Sequence, residues 1–157
     1  MALLSTFGPE TGQHLPMPGL MIIAHAPLAS ALKAVAEHAY PECSAMIEAL
    51  DVGPQDSIEA LEASAKAMLE RVKDPDVLVL TDVVGATPCN LAQRLVDGRH
   101  VRVIAGVNVS MIWRVLCYAR EPLEALAGRA ITGATQGVVQ LAATEPQATA
   151  PNTATTR

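Results

Sequence analysis

Two stretches decide the fold: LMIIAH at 20–25 and VLVLTD at 77–82. In each, an apolar run stops abruptly at one ionisable residue, which is His25 in the first and Asp82 in the second. A proline suited to the first turn of a helix follows shortly after each of them. In an open parallel sheet the carboxyl ends of the strands share one edge, where ligands bind. The two stretches therefore predict a sheet edge at which a histidine and an aspartate can meet.

Between these landmarks the chain alternates apolar runs of strand length with amphipathic runs of helical period. Further strands are predicted at 45–50 and 101–107, and helices are predicted at 27–40, 58–72, 110–119, from Thr87 and from Pro122. The later strands are nearly continuously apolar, which is typical of strands covered on both faces. Four βα units in about 120 residues favour a sheet with helices on both sides. The predicted fold class is α/β, an open doubly wound and mainly parallel sheet followed by a C-terminal helix.

Three details of the helices are also predicted. Asp56 is expected to cap the second helix, because Glu59 three residues later completes a capping-box pattern. Thr87 is expected to cap the third helix, with Pro88 in its first turn. Glycines at 128, 133 and 137 are expected to weaken the last helix.

Composition narrows the class of protein. The 157 residues suffice for one domain, and because half are hydrophobic but only 3% are aromatic, its core must consist of Ala, Val, Leu and Ile. The net charge of −5 comes without a cluster of Lys or Arg, so no nucleic-acid surface is expected. No apolar run reaches the ~18 residues of a membrane span, so no membrane insertion is expected. Three cysteines without CxxC spacing favour reduced thiols and a cytoplasmic protein.

Only the middle of the chain has the composition of a packed domain. Residues 1–18 lack the segments of a secretory signal and are interrupted by glycines and prolines, so a loose N-terminal extension is predicted. The domain is predicted to span 19–143. Residues 144–157 are rich in Ala, Thr and Pro, and a disordered tail is predicted there.

The predicted sheet edge carries groups suited to phosphoryl transfer. A neutral imidazole at His25 can act as a nucleophile, and a carboxylate at Asp82 would fix its tautomer and support positive charge on the ring. Gly85, Ala86 and Thr87 follow as small residues at a helix start, where free backbone N–H groups favour an anion. Together these groups suggest a phosphohistidine intermediate.

Each feature also has an ordinary structural explanation. A lone strand-end histidine can be a solvated residue, a strand-end aspartate is commonly a turn residue, and Thr87 can simply begin a helix. A small hydrolase that uses His25 and Asp82 is another alternative, although the chain lacks a nucleophile motif such as GxSxG. The other histidines receive no role. Without His, Cys, Asp or Glu at ligand spacing, neither a metal nor a cofactor is expected.

The same residues resemble a known family, the IIA components of the mannose type in the sugar phosphotransferase system. The likeness is carried by IIAH at 22–25, by the block DxxGATPxN that starts at 82, and by AGVN at 105–108, and it extends over about residues 20 to 142. It implies that His25 is the phosphorylated residue and that Asp82 pairs with its ring. It also implies that Gly85, Ala86 and Thr87 bind the phosphoryl group.

The resemblance implies that the protein is a cytoplasmic phosphotransferase. Such a protein would accept a phosphoryl group from the phosphocarrier HPr and pass it to a IIB protein on another chain, or to a regulatory target. Two alternatives remain, a phosphotransfer subunit of a dihydroxyacetone kinase and a non-catalytic regulator that senses phosphorylation state. The chain departs from the family pattern at Ala26 and Pro27, because a glycine usually follows the histidine directly.

The resemblance further implies a homodimer in which a C-terminal edge strand can be exchanged between subunits. The run VVQLA at 138–142 agrees with this, because it is too apolar for a free terminus. An open sheet also leaves edge strands that need cover. The sequence therefore predicts that residues 138–142 are buried in a dimer.

Overall fold

The computed structural model describes residues 16–143. Strands and helices alternate along this part of the chain, as the sequence predicts. The elements are β1 (Gly19–His25), α1 (Leu28–Ala39), a 3₁₀ segment (Pro41–Met46), β2 (Ile47–Val52), α2 (Ile58–Val72), β3 (Val77–Thr81), α3 (Thr87–Gln93), β4 (Val101–Ala105), α4 (Val109–Cys117) and α5 (Leu123–Gln136).

The strands form one parallel sheet in the order β2-β1-β3-β4. Helices α1, α4 and α5 cover one face, and α2 and α3 cover the other. The predicted open, doubly wound α/β fold is confirmed. The chain builds from β1 towards β2 on one side and then towards β3 and β4 on the other. The strand order therefore reverses between β1 and β3, which is the position where such sheets bind ligands.

The two central strands, β1 and β3, are buried on both faces. Leu20 and Leu78 face the layer of α1, α4 and α5, whereas Met21 and Val79 face the layer of α2 and α3. Burying a side chain of this size stabilises the fold by roughly 1.5–3 kcal/mol. The ends of β1 and β3 at the carboxyl edge are therefore held in place by two deeply buried strands.

The predicted start of β2 and the predicted cap of α2 are wrong by two residues and one residue. The strand starts at Ile47, because Pro41 opens a 3₁₀ segment that occupies the preceding residues. The cap of α2 is Ser57, whose Oγ accepts the N–H of Ala60 at 3.3 Å. Asp56 instead accepts the N–H of Gly53 at 2.7 Å and closes the preceding turn. The chain thus uses the first of two adjacent polar residues for the turn and the second for the helix.

The predicted cap of α3 is wrong, and one of the glycines of α5 has a packing role. Thr87 is already helical and Ala86 occupies the cap position of α3, so Thr87 does not cap it. Helix α5 runs without interruption through Gly128 and Gly133. A Cβ at Gly133 would lie 2.5 Å from the Cβ of Arg114, so the glycine permits close packing of α5 on α4. The glycine pattern marks a helix contact that the sequence alone does not show.

The described region does not include most of the predicted terminal segments. The loose extension predicted for 1–18 lies outside it except for 16–18, and the tail predicted for 144–157 lies wholly outside it. No helix among residues 16–143 has the length and apolar character needed to cross a membrane. Residues 138–142 form no strand within the chain, and Val138, Val139 and Leu141 are 77%, 67% and 85% exposed. The exchanged edge strand therefore stays a prediction.

Candidate functional site

The sheet brings His25 and Asp82 together at its carboxyl edge. Ile23 of β1 lies beside Thr81 of β3, so His25 and Asp82 both follow within two residues of the last aligned pair. His25 is the last residue of β1, and Asp82 is the first residue after β3. Asp82 Oδ2 lies 2.6 Å from His25 Nδ1. The contact lies at the β1/β3 switch point of the sheet.

Asp82 is held as an ionised acceptor. Its Oδ2 also accepts the backbone N–H of His25 at 2.9 Å, and its Oδ1 accepts the N–H of Val83 at 2.7 Å. Burial is the largest single influence on the pKa of Asp82 and opposes ionisation. The hydrogen bonds from His25 and Val83 together outweigh it and lower that pKa. An ionised carboxylate can only accept hydrogen bonds. His25 Nδ1 therefore carries the proton and donates a hydrogen bond to Oδ2.

In the neutral ring, a proton on Nδ1 leaves Nε2 of His25 with its lone pair. The side chain of Asp82 is 9% exposed while that of His25 is 55% exposed, so the carboxylate is shielded and the ring is reachable. Neither residue lines the cavities of about 430 and 500 Å³ that flank α4. Nε2 is thus presented on an open surface, which another macromolecule can reach.

The loop between β3 and α3 is braced from within. Gly85 has a φ of +84°, which favours glycine because a Cβ would be strained there. The N–H of Ala86 donates to the carbonyl of Val83 at 3.2 Å, and Asn90 Nδ2 donates to the carbonyl of Gly85 at 3.2 Å. In the described part of the chain the N–H groups of Gly85 and Thr87 have no such partner. Among the predicted phosphoryl-binding residues, Gly85 and Thr87 therefore present free amides and Ala86 does not.

Two contacts of this site have no assignment from the sequence. Asn90 belongs to the motif at 82–90, but its role as a brace for the loop becomes visible only in three dimensions. Asp51 accepts the N–H of Ser30 at 3.1 Å and so joins the end of β2 to the start of α1. No periodicity or spacing signals this contact, because it connects residues 21 positions apart on different elements.

A second His–Asp pair lies at the opposite edge of the sheet. His100 Nδ1 is 2.8 Å from Asp76 Oδ1, just before β4 and β3 begin. It is remote from the strand ends that carry His25 and Asp82, and it has no part in the candidate site. Across residues 16–143, no three His, Cys, Asp or Glu side chains are grouped so as to hold a metal ion. A metal-free site stays a prediction.

The fold and the site define a class, a doubly wound α/β protein with a carboxylate-oriented histidine at its switch point. Residues 19–130 match the family described as PTS system fructose IIA component. The protein therefore belongs to the mannose-type IIA family of the sugar phosphotransferase system. This membership confirms the resemblance seen in the sequence. The family to which the chain belongs consists of components of the sugar phosphotransferase system.

Individual relatives agree with the family match. The chain is 34% identical over 119 residues to the mannose-specific EIIAB component of Escherichia coli K12, in an alignment that covers 68% of this chain and 36% of that protein. The chain thus spans only about a third of that relative's length. Two solved structures share the fold. The mannose/sorbose-specific IIA subunit of Enterococcus faecalis has a TM-score of 0.74 at 24% identity, covering 83% of this chain and 99% of that one. The IIA protein associated with the fucose utilization operon of Streptococcus pneumoniae has a TM-score of 0.69 at 21% identity, covering 79% and 93%.

Proposed function

We propose that the protein is a phosphocarrier that accepts a phosphoryl group from phospho-HPr on Nε2 of His25 and passes it to a IIB protein or to a regulatory target. The observation that carries the proposal is the 2.6 Å contact between Asp82 Oδ2 and His25 Nδ1. It occupies one ring nitrogen and leaves the other, on a half-exposed side chain, as the nucleophile. Membership of the mannose-type IIA family supports the same assignment.

The transfer step moves the phosphoryl group from one imidazole ring to another. The Nε2 lone pair attacks the phosphorus of the donor phosphohistidine, whose ring carries a proton on its other nitrogen, in line with the P–N bond. That bond breaks, its electron pair returns to the donor ring, and the donor leaves as a neutral imidazole protonated on its other nitrogen. A new P–N bond forms at Nε2, while the Nδ1 proton stays in its hydrogen bond to Asp82. The positive charge that develops on the His25 ring is therefore paired with a carboxylate.

This chemistry requires neither a nucleotide nor a metal, because the bond broken and the bond formed are both phosphoramidates of similar energy. The task of the protein is to align donor and acceptor and to hold the phosphoryl oxygens. We assign the second task to the loop at Gly85, Ala86 and Thr87. The free N–H groups of Gly85 and Thr87 and the hydroxyl of Thr87 would donate to the oxygens, and Ala86 would keep the loop small.

The surroundings of His25 suit a protein as the donor. Val83 and Val84 stand out from the loop after Asp82 and are 59% and 77% exposed. Leu28 at the start of α1 is 39% exposed, and the adjoining Ala26 and Pro27 are exposed as well. Apolar side chains in such positions favour a docking partner that covers the histidine and excludes water during transfer.

We also propose a cytoplasmic location. The described cysteines, Cys43, Cys89 and Cys117, are free thiols. Free thiols are typical of compartments that are kept reducing, whereas disulfides persist in oxidising ones. Fractionation of cells that express the full chain, with immunodetection in each fraction, tests this location directly.

Phosphorylation itself is tested by incubating the protein with enzyme I, HPr and phosphoenolpyruvate. We expect an acid-labile mass gain of one phosphoryl group, which His25→Ala abolishes without unfolding the chain. His100→Ala is the matched control, because His100 also pairs with an aspartate through Nδ1 but lies at the other sheet edge. Labelling that persists in His25→Ala, or that is lost in His100→Ala, contradicts the assignment.

A further inference from the structure

We propose that Asp51 is a positioning residue for His25, because it caps α1 from the neighbouring strand and so fixes the backbone that carries the imidazole. The inference rests on the proposed phosphorylation of His25. It assigns to Asp51 no contact with the phosphoryl group. Its action runs through the first turn of α1, which follows His25 after only two residues.

Helix α1 starts without a cap of its own. Pro27 occupies the cap position and makes no side-chain hydrogen bond, and the first turn contains no acidic residue. The first amides of a helix lack partners within the helix and need acceptors from elsewhere. Asp51 supplies one, because its Oδ1 accepts the N–H of Ser30 at 3.1 Å. A carboxylate is also the group that a helix N-terminus favours electrostatically.

The end of β2 holds the segment after His25 at two points. Ala24 and His25 lie beside Asp51 and Val52 in the parallel register. The carbonyl of Val52 accepts the N–H of Ala26 at 3.0 Å, and the side chain of Asp51 reaches one helical turn further to Ser30. Of these two attachments, only the one from Asp51 uses a side chain. It can therefore be removed by substitution without changing the sheet.

His25 is held from the other side by β3. Asp82 Oδ2 accepts its backbone N–H at 2.9 Å. Within the first turn of α1, Ser30 Oγ donates to the carbonyl of Pro27 at 3.1 Å, so the turn moves as a unit. Without Asp51, the bond from the N–H of Ala26 to the carbonyl of Val52 is the remaining hydrogen bond that the structure shows between this segment and the end of β2. The histidine could then shift relative to Asp82 and to an incoming phosphorus.

The test compares transfer rates within the donor complex. Asp51→Ala is expected to lower the single-turnover rate of transfer from phospho-HPr by about tenfold to a hundredfold, since small misplacements of reacting groups cost up to ~10²-fold. The HPr concentration that gives half the maximal rate should stay the same. Asp51→Asn keeps an oxygen acceptor for Ser30 and should restore most of the rate. Asp51→Ser is too short to reach Ser30 and should behave like Asp51→Ala.

Asp56→Ala is the matched control. Asp56 also accepts a backbone N–H, that of Gly53 at 2.7 Å, but the structure gives it no bond to the segment after His25. It should leave the transfer rate unchanged. Amide hydrogen exchange supplies a readout that does not depend on phosphorylation, because Ser30 should exchange faster in Asp51→Ala and Asp51→Ser than in the native chain or in Asp56→Ala.

The outcomes separate the two proposals. A native chain that takes no label on His25 contradicts the proposed function, while the exchange of Ser30 still decides whether Asp51 caps the helix. A native transfer rate in Asp51→Ala or Asp51→Ser, or an unchanged exchange rate of Ser30 in both, overturns the positioning role. A rate in Asp51→Asn as low as in Asp51→Ala also overturns it, since the effect would then come from charge rather than from the hydrogen bond.

Discussion

At the residue scale, a short His–Asp contact does not by itself define a functional site. Residues 16–143 contain two of them, at 2.6 Å for His25 and Asp82 and at 2.8 Å for His100 and Asp76. They differ in what surrounds them. The first stands at the carboxyl edge beside the switch point and has a shielded carboxylate under an exposed ring. In the second pair, both side chains are partly exposed, and their contact joins the starts of β3 and β4.

Asp82→Asn should slow phosphoryl transfer by about 10²-fold, as expected when a carboxylate that orients a reacting imidazole is replaced by an amide. The amide can present an N–H to Nδ1 and so favours the wrong tautomer. Single-turnover transfer from phospho-HPr measures the rate, and ¹⁵N shifts of the His25 ring report the tautomer. Asp76→Asn changes the other pair in the same way and should transfer at the native rate. Native transfer by Asp82→Asn would show that the contact has no part in the reaction.

Thr81, directly before Asp82, is fully buried, and its hydroxyl has no hydrogen-bond partner in the described part of the chain. A buried hydroxyl without a partner costs stability, so Thr81→Val should raise the free energy of unfolding by about 1 kcal/mol. Thr81→Ala should lower it, because the lost methyl group leaves a cavity. Urea unfolding at neutral pH measures both variants. A lower stability of Thr81→Val would mean that the hydroxyl has a partner.

At the element scale, the sequence predicts most of the site because the site lies at strand ends. His25 and Asp82 each terminate an apolar run, and such a signal is local and easy to recognise. What the sequence does not show are contacts between elements. Asp51 capping α1 is one, and the close approach of α5 to α4 at Gly133 is another. The prediction of Asp56 rather than Ser57 as the cap of α2 fails for a related reason, since these neighbouring polar residues compete for the turn and for the helix cap.

The turn before β4 contributes to the stability of the fold in a way that depends on pH. Asp97 Oδ1 accepts the N–H groups of Arg99, His100 and Val101 at 2.9, 2.7 and 3.0 Å. These bonds, that from Arg99 first, lower the pKa of Asp97 to about 2. Its pKa in the unfolded chain is about 3.9. The folded state therefore binds this proton more weakly, and the stability that Asp97 supplies is present above pH ~4 and is lost as the pH falls towards 2.

Asp97→Asn removes this titration. The native chain should be more stable than Asp97→Asn near neutral pH, and the difference in their free energies of unfolding should shrink as the pH falls from about 5 to about 2. Urea unfolding of both proteins across this range measures the difference. A difference that stays constant or widens on acidification would mean that Asp97 is not ionised in its turn.

In the molecule as a whole, the edge of the sheet at β4 is not fully covered. Strand β4 is one of the two edge strands, and most of its residues are only half-buried. A cavity of about 310 Å³ lies beside it, lined by apolar side chains that include Ile104, Met111 and Ile131. The apolar residues Val138, Val139 and Leu141 are largely exposed in the single chain. In a pair of chains, the apolar segment of one copy can cover the uncovered sheet edge of the other.

We therefore expect a homodimer in which residues 138–142 of each subunit cover the β4 edge of the other. Removing the chain after Gly137 should weaken the dimer and lower the free energy of unfolding, because the edge and the cavity then lose their apolar cover. Removing it after Glu145 keeps 138–142 and should do neither. In the full chain, Val139→Asp should reproduce the effect of the shorter truncation, because burying a charge on the partner's sheet is costly. Light scattering at tens of micromolar measures the oligomeric state. A full chain that is monomeric there contradicts the dimer, and a dimer unaffected by both the shorter truncation and Val139→Asp places the interface elsewhere.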